Sequence, residues 1–376
     1  MNLFKLLVIC LSIFWLSACK NKHTLFEKIS SSYSGIHFNN SITESDSINP
    51  MNVVNVYNGG GVGIGDFNND GLQDIYLTGN MVSSRLYLNK GDFRFEDITD
   101  KAGAGGSGRW ARGVSITDIN NDGLMDIYIY NTIYNDSLKR RNILYINQGI
   151  NKEGIPRFTD KAAEYGLDIN VQSTMAYFFD YDNDADLDMY LSVNEASSVN
   201  ENQFGKNTRS NTSSTKGSKG RLFQNNWDAP VSHPVFRDVS LQAGITLDGF
   251  GHGATIADIN RDGWKDIYVS NDFLSENILF INNHDGTFTN QSKNYFKHTS
   301  FNSMGQDIID INNDGLQDVV ELDMNPEDNY RKKMMMPSNN YNTFQNFDIY
   351  STQFQYIRNT LQLNQGPKIL ENDSIG

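Results

Sequence analysis

The amino-acid sequence predicts an all-β protein built from a repeated four-stranded unit, and three observations support this fold class. A nine-residue pattern, Asp-x-Asn/Asp-x-Asp-Gly-x-x-Asp, occurs five times in the 376 residues, once with a substitution, starting at positions 66, 118, 180, 258 and 310. Short runs rich in Tyr, Phe, Ile and Val flank each copy, which is typical of β-strands. No sustained 3.6-residue apolar period, the sign of an amphipathic helix, lies between those runs.

The spacing of the copies indicates the architecture. Successive copies start 52, 62, 78 and 52 residues apart, and a period near 50 is typical of propellers and repeat arrays. In the first unit an apolar run at 63–65 precedes the Asp-rich loop, and predicted strands follow it at 75–77, 85–89 and 93–98. We therefore predict a β-propeller of four-stranded blades with calcium loops, five complete blades and a partial sixth, in which each loop joins the first two strands.

The Asp-rich loop has the ligand pattern of a calcium site. A hard cation such as Ca²⁺ prefers oxygen ligands, and the loop offers side-chain oxygens at positions 1, 3, 5 and 9 with a backbone carbonyl at position 7. Glycine at position 6 permits the sharp turn because it adopts positive φ freely. The predicted Ca²⁺ ligands are Asp66, Asn68, Asp70, Asp74, Asp118, Asn120, Asp122, Asp126, Asp180, Asp182, Asp184, Asp188, Asp258, Asn260, Asp262, Asp266, Asp310, Asn312, Asp314 and Asp318.

The third loop departs from this pattern. Ala185 replaces the turn glycine, so we expect strain at a left-handed backbone position and a weaker or altered metal site. The additional acids Asp182 and Asp186 in the same loop are expected to offset that weakness by adding negative charge.

An EF-hand uses a nearly identical loop, but it also needs a Glu at position 12 and flanking helices. The first four loops have apolar residues at that position, namely Leu77, Ile129, Leu191 and Val269. The fifth loop has Glu321 there, but its neighbours Val319 and Val320 favour a strand. The sequence therefore disfavours a helical calcium-binding fold.

The glycine-rich run at 59–65 superficially resembles a phosphate-binding loop. A dinucleotide-binding motif follows a strand and begins a helix, whereas this run leads directly into an Asp-rich loop. We therefore interpret its glycines as positions where strands approach each other closely near the propeller axis.

Two insertions interrupt the repeats. Residues 197–219 are almost all Ser, Asn, Thr, Lys and Gly, a composition that cannot form a buried face, so we predict a mobile surface loop there. Residues 330–354 are rich in Met and aromatic side chains. They either cover a sheet edge or form a binding lid over one end of the propeller.

The N-terminal residues are typical of an exported bacterial lipoprotein. Lys5 precedes an apolar run at 6–16 that is too short to span a membrane comfortably, and Leu-Ser-Ala-Cys at 16–19 fits a lipobox. The predicted segments are a signal peptide at 1–18, lipidation at Cys19, a tether at 19–29 and the propeller at 30–376. The expected location is the outer membrane, with the protein facing outward.

Charge excludes one class of partner. The formal net charge is −14, and no basic face or stripe of Arg and Lys is present, so we do not expect nucleic-acid binding. Much of the acid lies in the five loops, where the carboxylates repel each other unless a cation is bound.

Little in the sequence indicates catalysis. The six histidines lie in different units, and the paired acids that could indicate glycoside hydrolysis are already assigned to the calcium loops. His252 lies just before the fourth loop's strand, where it serves either as a structural hydrogen-bonding group or as a general base. Arg109-Trp110-Ala111-Arg112 has a similar position and either grips a sugar or a carboxylate or packs between blades.

These motifs together resemble the FG-GAP/VCBS repeat family, which includes the integrin-α-like propellers, and more narrowly the bacterial lipoproteins associated with an ASPIC/UnbV domain. The resemblance covers 30–366 and includes the segments 323–330 and 359–366. It implies a calcium-bound propeller of seven or eight blades that serves in adhesion or recognition. No ASPIC/UnbV segment is present, and five units with part of a sixth would leave a propeller open, so we expect a fragment of a longer protein.

Three functions are compatible with these features. The first is a calcium-binding, lipid-anchored surface protein that recognises a protein or a glycan without catalysis. The alternative is a polysaccharide-acting lyase or hydrolase on the same propeller, which a cluster of Arg, Lys, His or Tyr at one mouth would favour. The third is a passive spacer within a longer surface protein.

Overall fold

The computed structural model describes residues 24–53, 56–106, 108–195, 218–272, 275–335, 353–366, 368–370 and 373–375. The predicted signal peptide, the lipidation site Cys19, the start of the tether and most of both insertions lie outside these residues. Among the helices that are described, none is long and apolar enough to cross a membrane.

Four antiparallel sheets of four strands follow one another along the chain. The first sheet contains β1 (Val62–Gly65), β2 (Asp74–Leu77), β3 (Arg85–Asn89) and β4 (Phe95–Asp97). The second contains β5 (Ala111–Thr117), β6 (Asp126–Asn131), β7 (Ile143–Ile150) and β8 (Pro156–Asp160). Neighbouring strands are consecutive in the chain, which confirms the predicted strand order and places each Asp-rich loop between the first two strands.

The third and fourth sheets repeat this arrangement. The third contains β9 (Ser173–Phe179), β10 (Asp188–Val193), β11 (Arg221–Gln224) and the edge strand β14 (Arg237–Asp238). A separate small hairpin of β12 (Trp227–Asp228) and β13 (His233–Pro234) lies between β11 and β14 in the chain. The fourth contains β15 (Gly251–Ala257), β16 (Asp266–Asn271), β17 (Ile278–Asn282) and β18 (Phe288–Asn290).

The fifth sheet differs from the predicted complete blade. Its three strands are β20 (Ser303–Ile309), β21 (Asp318–Asp323) and β23 (Thr360–Gln362). Two further short strands, β19 (Thr299–Ser300) and β22 (Gln355–Tyr356), pair with each other in a separate two-stranded sheet. In the chain, β19 precedes β20, and β22 lies between β21 and β23. The segment 359–366, which contributed to the family resemblance, therefore belongs to the fifth blade. Strands β24 (Lys368–Leu370) and β25 (Asp373–Ile375) form a separate hairpin.

The helices in the described part of the chain are short connections. They are α1 (Ser31–Ser34), α2 (Thr99–Ala102), α3 (Ser137–Arg140), α4 (Ser292–Tyr295) and α5 (Asn329–Met335). Four of them have a single turn, so the all-β fold class predicted from the sequence is confirmed, and the EF-hand alternative has no pair of helices around its loops.

The first strands of successive sheets, which we call the inner strands, pack side by side. Strand β1 contacts β5, β5 contacts β9, β9 contacts β15 and β15 contacts β20. Side-by-side packing of successive inner strands is the arrangement expected of propeller blades. At the two ends of the series, apolar side chains stay exposed, among them Val62 and Ile64 on β1 and Ile309 on β20.

The glycine-rich run is a site of close strand approach, as predicted. A Cβ atom added to Gly61 would lie 2.7 Å from the Cα of Gly113 on the next inner strand, and one added to Gly63 would lie 2.7 Å from a side-chain carbon of Ile116. Backbone contact at this distance between two blades requires glycine.

We expect Gly61→Ala to lower the free energy of unfolding by about 1–3 kcal/mol, because the added methyl group meets backbone rather than a movable side chain. Gly305 occupies the same repeat position in the fifth unit and has nothing within 4 Å of an added Cβ. Gly305→Ala is therefore the matched control and should change stability by less than about 0.5 kcal/mol. Urea unfolding of both variants measures this difference, and equal effects would contradict the close-approach interpretation.

The apolar core lies between neighbouring sheets. A tyrosine ten residues after the start of each of the first four loops is almost fully buried there; these are Tyr76, Tyr128, Tyr190 and Tyr268. Burying an aromatic ring of this size stabilises each interface strongly. The hydroxyl of Tyr76 donates to the Ala104 carbonyl at 2.6 Å, and that of Tyr268 donates to Glu321 at 2.8 Å. Glu321 therefore points into the core and not into the fifth loop.

Candidate metal centres

All five Asp-rich loops have the same hydrogen-bonded turn. In the first loop the backbone N–H groups of Asp70 and Gly71 donate to the two carboxylate oxygens of Asp66 at 3.1 and 2.7 Å. The first aspartate of every other loop accepts the same pair of bonds; these residues are Asp118, Asp180, Asp258 and Asp310. The repeated sequence pattern thus produces a repeated local structure.

Two positions in each loop have a left-handed backbone. The predicted positive φ at position 6 is confirmed, with values of 85°, 86°, 73°, 89° and 85° from the first loop to the fifth. Position 4 is also left-handed, which was not predicted; the residues are Asn69, Asn121, Asn183, Arg261 and Asn313. Asn tolerates this conformation better than most residues, so four of the five carried a usable signal.

The closing aspartate of each loop is buried and links the loop to the third strand of its blade. In the second blade, Asp126 accepts the backbone N–H of Ile119 at 3.1 Å through one oxygen and that of Asn147 at 2.8 Å through the other. The other four closing aspartates, Asp74, Asp188, Asp266 and Asp318, accept equivalent bonds. In the fifth blade the third-strand partner is Asn364, which confirms that 359–366 belongs to that blade.

The same third-strand asparagines connect neighbouring blades. The side-chain amide of Asn147 donates to the Phe67 carbonyl in the loop of the preceding blade at 2.9 Å, and that of Asn282 donates to the Tyr181 carbonyl at 2.8 Å. Each of these asparagines therefore contacts two Asp-rich loops. Neither partner could be assigned from the sequence, because the bonded residues are 80 and 101 positions apart.

Burial disfavours the ionised form of the closing carboxylates. Desolvation raises the pKa of Asp74 and Asp266 to about 6, that of Asp126 to about 7 and that of Asp188 to about 8, although backbone N–H donors act in the opposite direction. The nearby acids at positions 1 and 5 raise the pKa of Asp126 further. A bound cation would offset this cost by favouring the charged form.

The third loop gives the clearest test of whether the residues fit a hard cation. One carboxylate oxygen from each of Asp180, Asp182 and Asp188 lies within 4.8 Å of the others. The Oδ1 atoms of Asp182 and Asp186 are buried and have no hydrogen-bond partner among the described residues. Unpaired buried carboxylate oxygens are costly, and an oxygen-only donor set suits Ca²⁺. The residues therefore fit the predicted cation in this loop.

In the other four loops the third-position asparagine has a different orientation. Its amide nitrogen donates to the fifth-position aspartate at 2.6–3.0 Å; the asparagines are Asn68, Asn120, Asn260 and Asn312. The side-chain oxygen of Asn68 accepts the backbone N–H of Asp70 at 3.3 Å. Ligation of a cation through this carbonyl oxygen would require the amide to turn over.

Ala185→Gly is expected to stabilise the protein by about 1 kcal/mol, because Ala185 has a φ of 73° and a Cβ atom is unfavourable there. The matched control is the reverse change in the second loop, Gly123→Ala, at a φ of 86° with nothing within 4 Å of an added Cβ. It should destabilise by a similar amount. Chemical unfolding in saturating calcium compares the two variants, and a loss of stability in Ala185→Gly would refute backbone strain at this position.

Two other predicted candidates have structural partners. Trp110 is 2% exposed and packs edge-to-face against Tyr134 with ring centres 6.2 Å apart, which confirms packing and not an exposed sugar-gripping role. The guanidinium of Arg109 donates to the Arg141 carbonyl at 2.5 Å. His252 lies on β15 with its Nε2 atom 3.4 Å from a carboxylate oxygen of Asp272.

Comparison with known proteins agrees with the repeat structure. The family profile of the FG-GAP-like repeat matches residues 66–129 and 258–321. The proteins named cartilage acidic protein 1 from Xenopus tropicalis and Homo sapiens are 26% and 25% identical to this chain over 219 residues, which is 58% of this chain and 29% of each relative. The chain thus matches less than a third of the length of these curated relatives.

A solved structure of an Agrocybe aegerita lectin resembles this chain with a TM-score of 0.36 and 15% sequence identity. That lectin is described as recognising non-reducing terminal N-acetylglucosamine. The alignment covers 69% of this chain and 60% of that chain. Likeness at this level supports no inference about ligand.

The first matched segment contains the first and second loops, and the second matched segment contains the fourth and fifth loops. Both start at the first aspartate of a loop and end in the second strand of the following blade. The chain is therefore an all-β protein of successive antiparallel blades that contains FG-GAP-like repeats.

Proposed function

We propose that this protein is a calcium-stabilised, lipid-anchored recognition module of the cell surface without catalytic activity. The observation that carries the proposal is the third loop, where three carboxylates converge and two buried carboxylate oxygens have no partner among the described residues. The other four loops have the same backbone turn, so the proposal extends to them. Calcium in this role clamps the connection between the first two strands of each blade.

The recognition role follows from the kind of structure that the loops stabilise. Successive blades held by buried closing aspartates form a rigid support, and the connections at the blade ends are free to vary without loss of the core. FG-GAP-like repeats support the same function by likeness. The ligand that we propose is a glycan or a protein.

Lipid attachment at Cys19 and placement in the outer membrane complete the proposal. They rest on the lipobox at 16–19 and the preceding apolar run. Cys19→Ser should release the full-length protein from the membrane fraction of the producing bacterium, whereas the unchanged protein should stay there and be degraded by protease added to intact cells. Retention of the variant in the membrane would refute the anchor.

The metal part of the proposal is tested by counting bound ions. Full-length protein dialysed against calcium should retain four to five Ca²⁺ ions per chain in elemental analysis, and Ala replacement of Asp180 and Asp182 together should remove one. A chain that retains no calcium would overturn the function proposed here.

A second candidate function is a uronate-specific lyase or hydrolase, and one observation favours it. His252, paired with Asp272 at 3.4 Å, is at the same repeat position as Arg112, so an imidazole and a guanidinium lie at equivalent positions on two inner strands. Incubation with uronate polysaccharides, monitored by the ultraviolet absorbance of unsaturated products and by reducing-end release, tests it. Product formation that disappears in His252→Ala would establish the enzyme and overturn the non-catalytic proposal.

A further inference from the structure

The five Asp-rich loops differ in charge, although they share one backbone turn. The first, second and fifth loops each contain three aspartates and no basic residue from position 1 to position 9. The third contains five aspartates, because Asp182 and Asp186 stand at positions 3 and 7, where the other loops have Asn and an apolar residue. The fourth contains three aspartates together with Arg261 and Lys265. From the first loop to the fifth, the formal charges are therefore −3, −3, −5, −1 and −3.

The additional carboxylates of the third loop lie at its candidate metal centre. One oxygen from each of Asp180, Asp182 and Asp188 lies within 4.8 Å of the others. The side-chain amide of Gln224 on β11 donates to the Oδ2 atom of Asp182 at 2.8 Å, which holds this carboxylate in place. The Oδ1 atoms of Asp182 and Asp186 are both buried. The third loop thus has more negative charge than the other loops, and part of that charge is held by a side chain of the same blade.

The side chain at position 3 also differs in how it can bind a cation. In the other four loops an asparagine at this position donates its amide nitrogen to the aspartate at position 5, so its carbonyl oxygen binds a cation only after the amide turns over. A carboxylate has two acceptor oxygens and needs no such change. The substitution at Ala185 does not disrupt the turn, because its backbone N–H still donates to Asp180 at 3.0 Å.

The fourth loop departs in the opposite direction. Arg261 stands at position 4, where the other loops have Asn, and Lys265 stands at position 8. The Nε2 atom of His284 lies 2.8 Å from the Oδ2 atom of Asp262, and the imidazole stacks on Trp264 with ring centres 4.9 Å apart. The first, second and fifth blades have glycine at the position of His284; these residues are Gly91, Gly149 and Gly366. Two positive charges and one imidazole therefore compete with a metal ion for the carboxylates of this loop.

We propose that the five loops bind calcium in a graded order, in which the third loop fills first and the fourth loop fills last. The affinity of a calcium loop depends on the charge of its ligands and on the rigidity of the site, and the third loop has the largest charge. Arg261 and Lys265 are exposed, so solvent screens them and their effect is smaller than that of the added carboxylates. This inference rests on the proposed function and adds the order in which its sites respond to calcium.

Calorimetric titration of the calcium-depleted, full-length protein with calcium chloride tests the order. One ion per chain should bind about tenfold or more tightly than the others, because each carboxylate beside a divalent ion contributes about tenfold even in a water-like dielectric. Asp182→Asn combined with Asp186→Leu gives the third loop the residues of the first loop at positions 3 and 7. This double substitution should abolish the tight class. The matched control is Asp46→Asn with Asp100→Asn, which removes two exposed charges outside the loops and should keep the tight class.

Trp264 provides a separate readout of the fourth loop, since it stands at position 7 of that loop. Terbium luminescence excited through tryptophan should contain a component that Trp264→Leu removes; the first, second and fifth loops have Leu at this position. That component should rise only after the first equivalent of terbium has bound. Arg261→Asn with Lys265→Gln restores the residues of the first loop and should shift the component to about twofold to fivefold lower terbium, the usual size of an exposed charge effect.

The outcomes separate this inference from the proposed function. A single class of calcium sites in the unchanged protein would overturn the graded order, even if a variant failed to fold, and would leave the proposed function intact. A tight class that persists in the Asp182→Asn, Asp186→Leu protein would assign it to another loop and would also overturn the order. A chain that binds no calcium would refute the proposed function itself.

Discussion

Removal of calcium is expected to lower the thermal unfolding midpoint of the full-length protein by about 10 °C. Extracellular calcium modules bind with dissociation constants of about 10⁻⁴ to 10⁻³ M. At 10 mM calcium each such site contributes about 1–3 kcal/mol by mass action, and the contributions of several sites add. The physical reason is that the loop carboxylates repel each other without the cation, and two of their oxygens in the third loop are buried without a partner in the described part of the chain.

The measurement is a pair of thermal melts, one in 10 mM calcium and one in excess chelator, monitored by circular dichroism. Magnesium serves as the control, because it demands octahedral geometry and releases its water reluctantly, so it should restore little of the lost stability. Identical melts in calcium and chelator would show that the loops hold no stabilising metal. A magnesium effect equal to that of calcium would instead indicate general screening of charge.

The second large effect is expected from Asp126→Ala, which should lower the free energy of unfolding by about 3–5 kcal/mol. Asp126 is 1% exposed, and its two oxygens accept the backbone N–H groups of Ile119 and Asn147. The substitution leaves both donors buried without partners and separates the loop from the third strand of the blade. This loss does not depend on a metal, so it should persist in chelator.

Asp122→Ala in the same loop is the control for Asp126→Ala. Asp122 is exposed, and its carboxylate accepts the backbone N–H of Leu124 at 2.9 Å and the amide of Asn120. Its loss should therefore matter mainly when calcium is present. Urea unfolding of both variants, each with calcium and with chelator, separates the structural role from the metal-binding role. Equal effects of the two substitutions in chelator would contradict this division.

Much of the fold was predictable because its signals are local. The strand order within a blade follows from short alternating runs and turn residues that lie within one repeat, and the left-handed sixth position of each loop was marked by glycine in four of five copies. The fifth blade was harder to predict, because the insertion separates its second strand from its third. The pairing of β23 with β21 and the bond between Asn364 and Asp318 assigned that third strand to its blade.

The candidate sites divide in the same way. The loop ligands were named from a nine-residue pattern, and their turn is stabilised by bonds between residues four or five positions apart. Arg112 and His252 were placed at similar positions before their loops, and the strand pairing showed in addition that both lie at a register shift at the start of an inner strand. The burial of Trp110 depended on Tyr134, a partner that no local pattern specifies.

The sequence by itself determined the repeat, the loops and the all-β fold class, because turn chemistry and strand alternation act between residues close in the chain. The tertiary structure alone decided which loop carboxylates are buried and which of their oxygens lack a partner among the residues that the structure describes. Those properties depend on how neighbouring blades meet. Desolvation and pairing are set by groups that come together from different repeats, and the one-dimensional pattern does not contain their contacts.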